Sequence, residues 1–189
     1  DITHILFNMF GLWMFGTPLE QMWGKQKFVF FYLSAGFGAV LIQTLVYNYD
    51  VMSVTQILLD NGLTNTDVNN FFKTGRLNTS LIQSVGEETL YSGLQSFKAV
   101  MVGASGALYG ILVGFAMLFP NVQLMLLFPP IPIKAKFLVP LLILFDLFFG
   151  FTSYSVGPIA HFAHIGGAIT GFIMMWYWKR NQFNNRRWN

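Results

Sequence analysis

The sequence contains no cysteine and few charged residues. The absence of Cys from its 189 residues excludes disulfide frameworks, thiolate metal sites and cysteine nucleophiles within this chain. Only 10% of the residues are charged, whereas an ordinary globular domain carries about 25%. So few charges cannot cover a water-soluble globule of this size. With 54% hydrophobic and 17% aromatic residues, the composition predicts an integral membrane protein whose surroundings are a lipid bilayer.

Five apolar segments can cross a bilayer as helices. None alternates as a membrane strand would, so we predict an all-α fold, a polytopic transmembrane helix bundle within a single domain, 1–189. The predicted spans are residues 2–19, 28–47, 105–119, 137–151 and 158–178. A Pro-rich connection joins the third span to the fourth.

Basic residues follow the first, third and fifth spans, which alternation places on one side of the membrane. These sites hold eight of the eleven Lys and Arg, at positions 25, 27, 134, 136, 179, 180, 186 and 187. The positive-inside rule therefore predicts an outer amino terminus and a cytoplasmic carboxyl terminus. Because the basic residues lie between apolar runs and form no stripe with surface aromatics, we expect no nucleic-acid partner.

The connection after the second span is long and carries three basic residues against five acids. Its amphipathic spacing is patchy and breaks at Gly62, Gly75 and Gly86. We predict an extracytoplasmic insertion over 48–98 with two or three short amphipathic helices on the outer membrane surface, the first over 54–59. The sequence is compatible with a structural role of this insertion and with a role in substrate or partner contact.

Polar groups inside a span are costly, so each one is a candidate for function. They are His4 and Asn8 in the first span, Ser105 at the start of the third, Asp146 late in the fourth, and His161 and His164 in the fifth. With ~1.5 Å of rise per residue and a ~30 Å apolar core, Asn8, Ser105 and His164 all lie about 8 to 12 Å below the outer face. This shared depth on three helices predicts a common site.

Small residues on two spans allow these groups to meet. They recur every fourth position, at Gly106, Gly110 and Gly114 in the third span and at Gly167 and Gly171 in the fifth. Such faces let helix backbones approach closely, so we expect Ser105 to contact His164. A serine hydroxyl beside an imidazole is the minimum for an activated nucleophile.

The surroundings of Ser105 favour a developing negative charge. Residues 103–106, Gly-Ala-Ser-Gly, place the serine at a helix start, where free N–H groups and the helix dipole stabilise an oxyanion. His4 and Asn8 are four residues apart, so they share a helix face and can add side-chain donors.

Three motifs together resemble those of the rhomboid intramembrane serine proteases. Residues 4–8, His-Ile-Leu-Phe-Asn, resemble the H-x-x-x-N motif of that family, with Glu20 at its inner-end acidic position. Residues 103–106 resemble its G-x-S-G motif, and Tyr109 stands where an aromatic packs on the catalytic histidine. Residues 163–171 are similar to its A-H-x-x-G-x-x-x-G motif.

The resemblance implies a catalytic dyad in which Ser105 is the nucleophile and His164 is the general base and then the acid. It also implies an oxyanion hole formed by His4, Asn8 and the Ser105 backbone N–H. No metal, nucleotide or organic cofactor is implied. The supporting positions are Gly103, Gly106, Tyr109, Gly167 and Gly171.

The resemblance further implies hydrolysis of peptide bonds in or near transmembrane helices of membrane-protein substrates. We expect a bacterial inner-membrane protein whose site opens to the outer side, and the oligomeric state is left open. Because the minimal family fold has six spans, we expect a further span upstream of Asp1. The loop 149–158 resembles the cap that gates entry to the site.

Two other interpretations compete with an active protease. His4, His161 and His164 could form a metal or haem site, and the chain could be an inactive relative that only binds membrane proteins. Asp146 lies near the outer end of its span and is expected to cap or bond to the gating loop. No carboxylate is apparent to complete a triad. His161 is expected to be structural or to line the cavity.

Overall fold

The computed structural model describes residues 2–100, 104–125, 131–152 and 160–181, and most of them are helical. The helices are α1 Ile2–Gly11, a π-helical turn Leu12–Gly16, α2 Thr17–Trp23, α3 Lys25–Asp60, α4 Asn65–Thr74, α5 Thr79–Val85, α6 Glu87–Lys98, α7 Ser105–Leu118, α8 Ala135–Phe151 and α9 His161–Asn181. The prediction of an all-α fold is confirmed at the level of fold class.

One small sheet accompanies the helices, in the Pro-rich connection between α7 and α8. Strand β1, Gln123–Met125, pairs antiparallel with β2, Pro132–Lys134, and places Leu124 opposite Ile133. Each strand has three residues, so this ribbon is a local feature of the connection.

The chain divides into two compact units, one formed by residues 1–43 with 102–189 and the other by residues 44–101. The boundary falls inside α3, a helix of 36 residues. The prediction of a separate short helix over 54–59 is wrong, because α3 continues through those residues. No Gly or Pro lies between Gly38 and Gly62, so the sequence contains no helix-ending signal there.

In the second unit, three short helices follow the end of α3. The first of them, α4, begins at a capping box in which Thr64 and Asp67 exchange side-chain and backbone hydrogen bonds, and these bonds lower the pKa of the exposed Asp67 carboxyl. Gly75 and Gly86 end α4 and α5 with φ values of 72° and 93°, which glycine accommodates best. The apolar core of this unit consists of Val54, Leu58, Val68, Phe71, Phe72 and Leu90.

In the first unit, α1, the π-helical turn and α2 form one helical run, since the residues at both junctions keep helical dihedrals. This run packs parallel to α7. A Cβ added to Gly11 would lie 2.9 Å from a Leu108 methyl carbon, and one turn further on Phe15 packs edge-on against Phe115 at 5.1 Å.

The closest helix contact in the first unit joins α7 to α9. A Cβ added to Gly167 would overlap the carbonyl oxygen of Gly106, and one added to Gly171 would lie 2.7 Å from the Gly110 Cα. The backbones therefore touch along the glycine faces, and side chains larger than hydrogen are excluded from them.

Helix α3 closes a third side of the same contact. A Cβ added to Gly166 would lie 2.7 Å from the Gly38 carbonyl oxygen and 3.0 Å from the Ala39 Cα. The Ala39 methyl group in turn faces Gly106. Three helices thus meet on small residues near the start of α7 and α9.

By length and apolar composition, α3 is the one helix in the described ranges that could cross a membrane, while the apolar α7 is shorter at 14 residues. Large apolar side chains are exposed on other helices too, including Ile2, Phe7, Phe151 and Phe172. A soluble monomer rarely exposes so much apolar surface, so the surface is compatible with lipid. The number of spans stays a prediction.

Replacing Gly167 by Ala is expected to separate α7 from α9, because the added methyl group would overlap the Gly106 carbonyl oxygen. We expect overpacking to cost about 1–3 kcal/mol and to lower the midpoint of thermal unfolding in detergent. Gly36→Ala is the matched control, since its methyl group would meet only the Ala107 Cβ at 3.5 Å. Equal midpoints for the two variants would contradict the close helix contact.

Candidate active site

Ser105 is the first residue of α7, and it is half-buried. Ala104 precedes it as the N-cap and offers no side-chain acceptor, while its carbonyl accepts the Leu108 N–H at 2.9 Å. The N–H groups of the first helical turn therefore point toward the space beside the serine, where a helix start favours negative charge. Gly103 of the same motif lies outside the described residues.

Ser105 and His164 are hydrogen-bonded side chain to side chain. The Ser105 Oγ lies 2.9 Å from the His164 Nε2. The glycine contact between α7 and α9 explains this proximity: Ser105 directly precedes Gly106, and His164 lies one turn before Gly167. A serine hydroxyl within hydrogen-bond distance of an imidazole is the arrangement that activates a nucleophile.

A carboxylate completes a chain of three groups, and the sequence analysis did not predict it. The Asp146 Oδ1 lies 3.0 Å from the Nδ1 of His164, the ring nitrogen that does not face the serine. The Asp146 side chain is only 7% exposed. The expectation that no carboxylate is placed to complete a triad is therefore wrong. The expected bond of Asp146 to the gating loop falls largely on residues outside the described ranges.

A physical signal for Asp146 was present in the sequence. Helices α8 and α9 follow each other, so the end of α8 and the start of α9 lie on the same side of the bundle. An acidic residue near the end of an apolar helix and two histidines at the start of the next one can therefore meet. The depth of each span taken by itself does not contain this connection.

Tyr109, one turn after Ser105 on α7, fixes the plane of the imidazole. Its ring stacks on that of His164 with centroids 4.3 Å apart and an interplanar angle of 7°. Its hydroxyl is also a hydrogen-bonding partner of the Asp146 carboxylate. One side chain therefore contacts two groups of the site.

His161 shares the carboxylate with His164. Its Nδ1 lies 2.6 Å from the same Asp146 Oδ1, and its ring stacks against Phe149 with centroids 5.9 Å apart. The Nε2 of His161 is buried and has no hydrogen-bond partner in the described part of the chain. We predicted that His161 is structural or lines a cavity. The hydrogen bond to Asp146 is an additional contact that this prediction did not include.

His4 and Asn8 are not hydrogen-bonded to Ser105 in the ranges that the structure covers. The His4 side chain is exposed, whereas Asn8 is buried and its Nδ2 donates to the His4 carbonyl at 2.7 Å. The parallel packing of α1 on α7 nevertheless sets the height of Asn8. It precedes Gly11 by three residues, as Ser105 precedes Leu108, so both lie at about the same level.

The other predicted elements have separate outcomes. Glu20 lies in α2, exposed, and its backbone carbonyl accepts the Gly24 N–H. Most of the predicted gating loop, 153–158, lies outside the described residues.

A metal or haem site at the three histidines is not favoured by this arrangement. Within the described segments, no group of three His, Asp or Glu side chains could hold a metal ion. His161 and His164 both use Nδ1 to bond Asp146, and His164 uses its other nitrogen on Ser105.

Gln43 on α3 also supports the site, and the sequence analysis did not identify it. Its side chain is buried, and its Oε1 accepts the backbone N–H of Ala163 at 2.9 Å. That N–H also approaches the carbonyl of Ala160 at 3.0 Å. Because Ala163 directly precedes His164, Gln43 ties the start of α9 to α3.

Comparison with known proteins identifies the family. The model of the Rhomboid domain matches residues 1–56 and 71–181, which include Ser105, Asp146 and His164, and the chain therefore belongs to the rhomboid family. Rhomboids are integral membrane proteins and serine intramembrane proteases that act on membrane-protein substrates. The resemblance inferred from the sequence is confirmed. No curated protein and no solved structure matched the chain.

Gln43→Met, which removes the acceptor but keeps the length of the side chain, is expected to loosen the start of α9. The loss of one hydrogen bond should cost about 0.5–1.5 kcal/mol and accelerate amide hydrogen exchange at Ala163. Gln26→Met is the matched control, because Gln26 is exposed near the start of the same helix. Unchanged exchange at Ala163 in Gln43→Met would show that this contact does not hold the helix start.

Proposed function

We propose that this chain is an active intramembrane serine endopeptidase, which hydrolyses peptide bonds in or near transmembrane helices of membrane-protein substrates. The observation that carries the proposal is the 2.9 Å hydrogen bond between the Ser105 Oγ and the His164 Nε2. Membership of a family of intramembrane serine proteases supports it. Ser105 is the proposed nucleophile and His164 the proposed general base.

The acylation half-reaction uses both groups. The Ser105 Oγ attacks the carbonyl carbon of the scissile bond while its proton moves to the His164 Nε2. The carbonyl electron pair moves to oxygen and forms a tetrahedral oxyanion. When the oxyanion collapses, the C–N bond breaks and the imidazolium donates its proton to the leaving amine.

Deacylation repeats these steps with water. The water oxygen attacks the ester carbonyl on Ser105, and one water proton moves to the His164 Nε2. Collapse of the second tetrahedral intermediate breaks the bond to the Ser105 Oγ, which takes back the proton from His164. The proposed reaction needs no metal, nucleotide or organic cofactor.

The oxyanion is proposed to bind at the start of α7. The Ser105 backbone N–H is one donor, and the dipole of the helix favours negative charge there. Asn8 is the second donor: its Nδ2 carries two hydrogens, of which the bond to the His4 carbonyl uses one. His4 is proposed as the third group.

The proposed setting is a bacterial inner membrane with the active site open to the outer side. The basic residues after the first, third and fifth predicted spans support a cytoplasmic carboxyl terminus. Water for deacylation would then enter from the outer side, past the loop 149–158.

One observation favours the alternative, an inactive rhomboid-like protein that binds membrane proteins. The His4 side chain is exposed, and no hydrogen bond joins Asn8 to Ser105 within the described residues. An enzyme that lacked these donors would lose much of its oxyanion stabilisation. The reactivity of Ser105 separates the two functions.

A fluorophosphonate probe is expected to label Ser105 in the detergent-solubilised protein, because His164 activates the hydroxyl. Ser105→Ala removes the nucleophile and His164→Ala removes the base, so both variants should lose labelling. Intact-mass spectrometry measures the adduct, and a chelator should not affect it. Ser80→Ala, at an exposed serine in the second unit, is the control that should label like the wild type.

Two results would contradict this proposal. A folded wild-type protein that remains unlabelled would favour the inactive binder. Labelling that persists in Ser105→Ala would place the reactive group elsewhere.

Asn8→Ala is expected to slow labelling by about 10²- to 10³-fold, the usual cost of losing one oxyanion donor. Stability should change little, since the Asn8 Oδ1 is buried without a hydrogen-bond partner among the described residues. Met9→Ala, at the exposed neighbouring position, is the control. Equal labelling rates in the two variants would exclude Asn8 from the oxyanion hole.

A further inference from the structure

Asp146 is a buried carboxylate in α8, a largely apolar helix whose other charged residue is Lys136 at its start. Its side chain is 7% exposed, and α8 contains no other acidic residue. Burying a carboxylate is costly unless donors satisfy it. Here the donors come from both neighbouring helices: Tyr109 from α7, and His161 and His164 from α9. The three donors form one hydrogen-bonded cluster around a single carboxylate.

The cluster sets the tautomer of His164. An ionised carboxylate can only accept hydrogen bonds, so an ionised Asp146 requires the proton of a neutral His164 on Nδ1, which lies 3.0 Å from its Oδ1. The Nε2 of the neutral ring is then an acceptor, and it faces the Ser105 hydroxyl at 2.9 Å. A general base requires this tautomer.

We infer that Asp146 is a positioning residue that extends the Ser105–His164 pair to a triad. In this inference His161 acts as a clamp, meaning that its hydrogen bond to Asp146 holds the carboxylate in place. The inference rests on the proposed serine protease function. The family resemblance implies a dyad without a carboxylate, so Asp146 is an addition that the structure of this chain supplies. During acylation Asp146 accepts the Nδ1–H throughout and stabilises the imidazolium without taking its proton.

The contacts of His161 separate its role from that of His164. Its Nδ1 bonds Asp146 at 2.6 Å, closer than that of His164, and its Nε2 has no hydrogen-bond partner in the described ranges. His161 lies three residues before His164, on the same face of α9. Among the described residues Asp146 is the one hydrogen-bond partner of its imidazole ring, and His161 therefore holds Asp146 opposite the catalytic ring.

The first test measures the tautomer directly and does not depend on activity. The chain has three histidines, so nitrogen NMR of selectively labelled protein yields few signals, which substitutions assign. We expect His164 to carry hydrogen on Nδ1 in the wild type. In Asp146→Asn the amide can donate to Nδ1, and hydrogen should move to Nε2. A wild-type His164 without hydrogen on Nδ1 would overturn the inference.

The second test measures reactivity. Asp146→Asn should lower the maximal rate of fluorophosphonate labelling by about 10²- to 10⁴-fold, as expected when the base is held in the wrong tautomer, while the half-saturating probe concentration stays the same. Asp60→Asn, at an exposed acid of the second unit, should label like the wild type. An Asp146→Asn protein that labels at the wild-type rate would overturn the inference.

His161 variants keep the inference testable if Asp146→Asn does not fold. His161→Leu removes the donor and should slow labelling, whereas His161→Asn retains an N–H near the position of Nδ1 and should restore most of the rate. Equal rates for both variants and the wild type would overturn the clamp.

These tests separate the two claims. A wild type that is unlabelled but carries hydrogen on the His164 Nδ1 contradicts the protease function and supports the placement of Asp146. If the wild type is labelled and Asp146→Asn is labelled at the same rate, the protease function is supported and the positioning role of Asp146 is contradicted.

Discussion

The structure of the site depends on one contact, the touching backbones of α7 and α9 at Gly106 and Gly167. No side chain larger than hydrogen fits between them. The serine directly precedes one glycine and the histidine lies one turn before the other, so the distance between their side chains follows from the distance between the backbones. In a bilayer, where lipid is as apolar as the helices, such close packing is a principal source of helix association. The same contact therefore stabilises the fold and sets the distance between Ser105 and His164.

A second constraint is electrostatic. The buried Asp146 carboxylate must be satisfied by donors, and the structure supplies them from two helices, through Tyr109, His161 and His164. Satisfying this one charge also orients the imidazole toward Ser105. Hydrogen bonds that share one carboxylate couple the positions of the side chains that make them, so the polar cluster restricts how α7, α8 and α9 can pack around Asp146.

The family assignment and the site support each other at different levels. The Rhomboid domain match establishes membership of a family of membrane-embedded proteases. The arrangement of Ser105, His164 and Asp146 bears on the activity proposed for this particular chain. Residues 57–70, which the match omits, belong to the second unit. That unit has its own apolar core and its own capped helices.

The sequence alone determined the fold class, because so few charges and such long apolar segments leave only a helix bundle in a membrane. It also indicated the meeting of Ser105 with His164, since motif spacing and glycine periodicity are local properties. Two features were decided only by the tertiary structure. One is the length of α3, because hydropathy does not mark where that helix ends. The other is the set of contacts of Asp146, because its partners come from two neighbouring helices. The residue pattern along one helix indicates its periodicity and its depth in the membrane. It does not indicate how neighbouring helices are rotated about their axes, and that rotation decides which side chains contact a buried carboxylate.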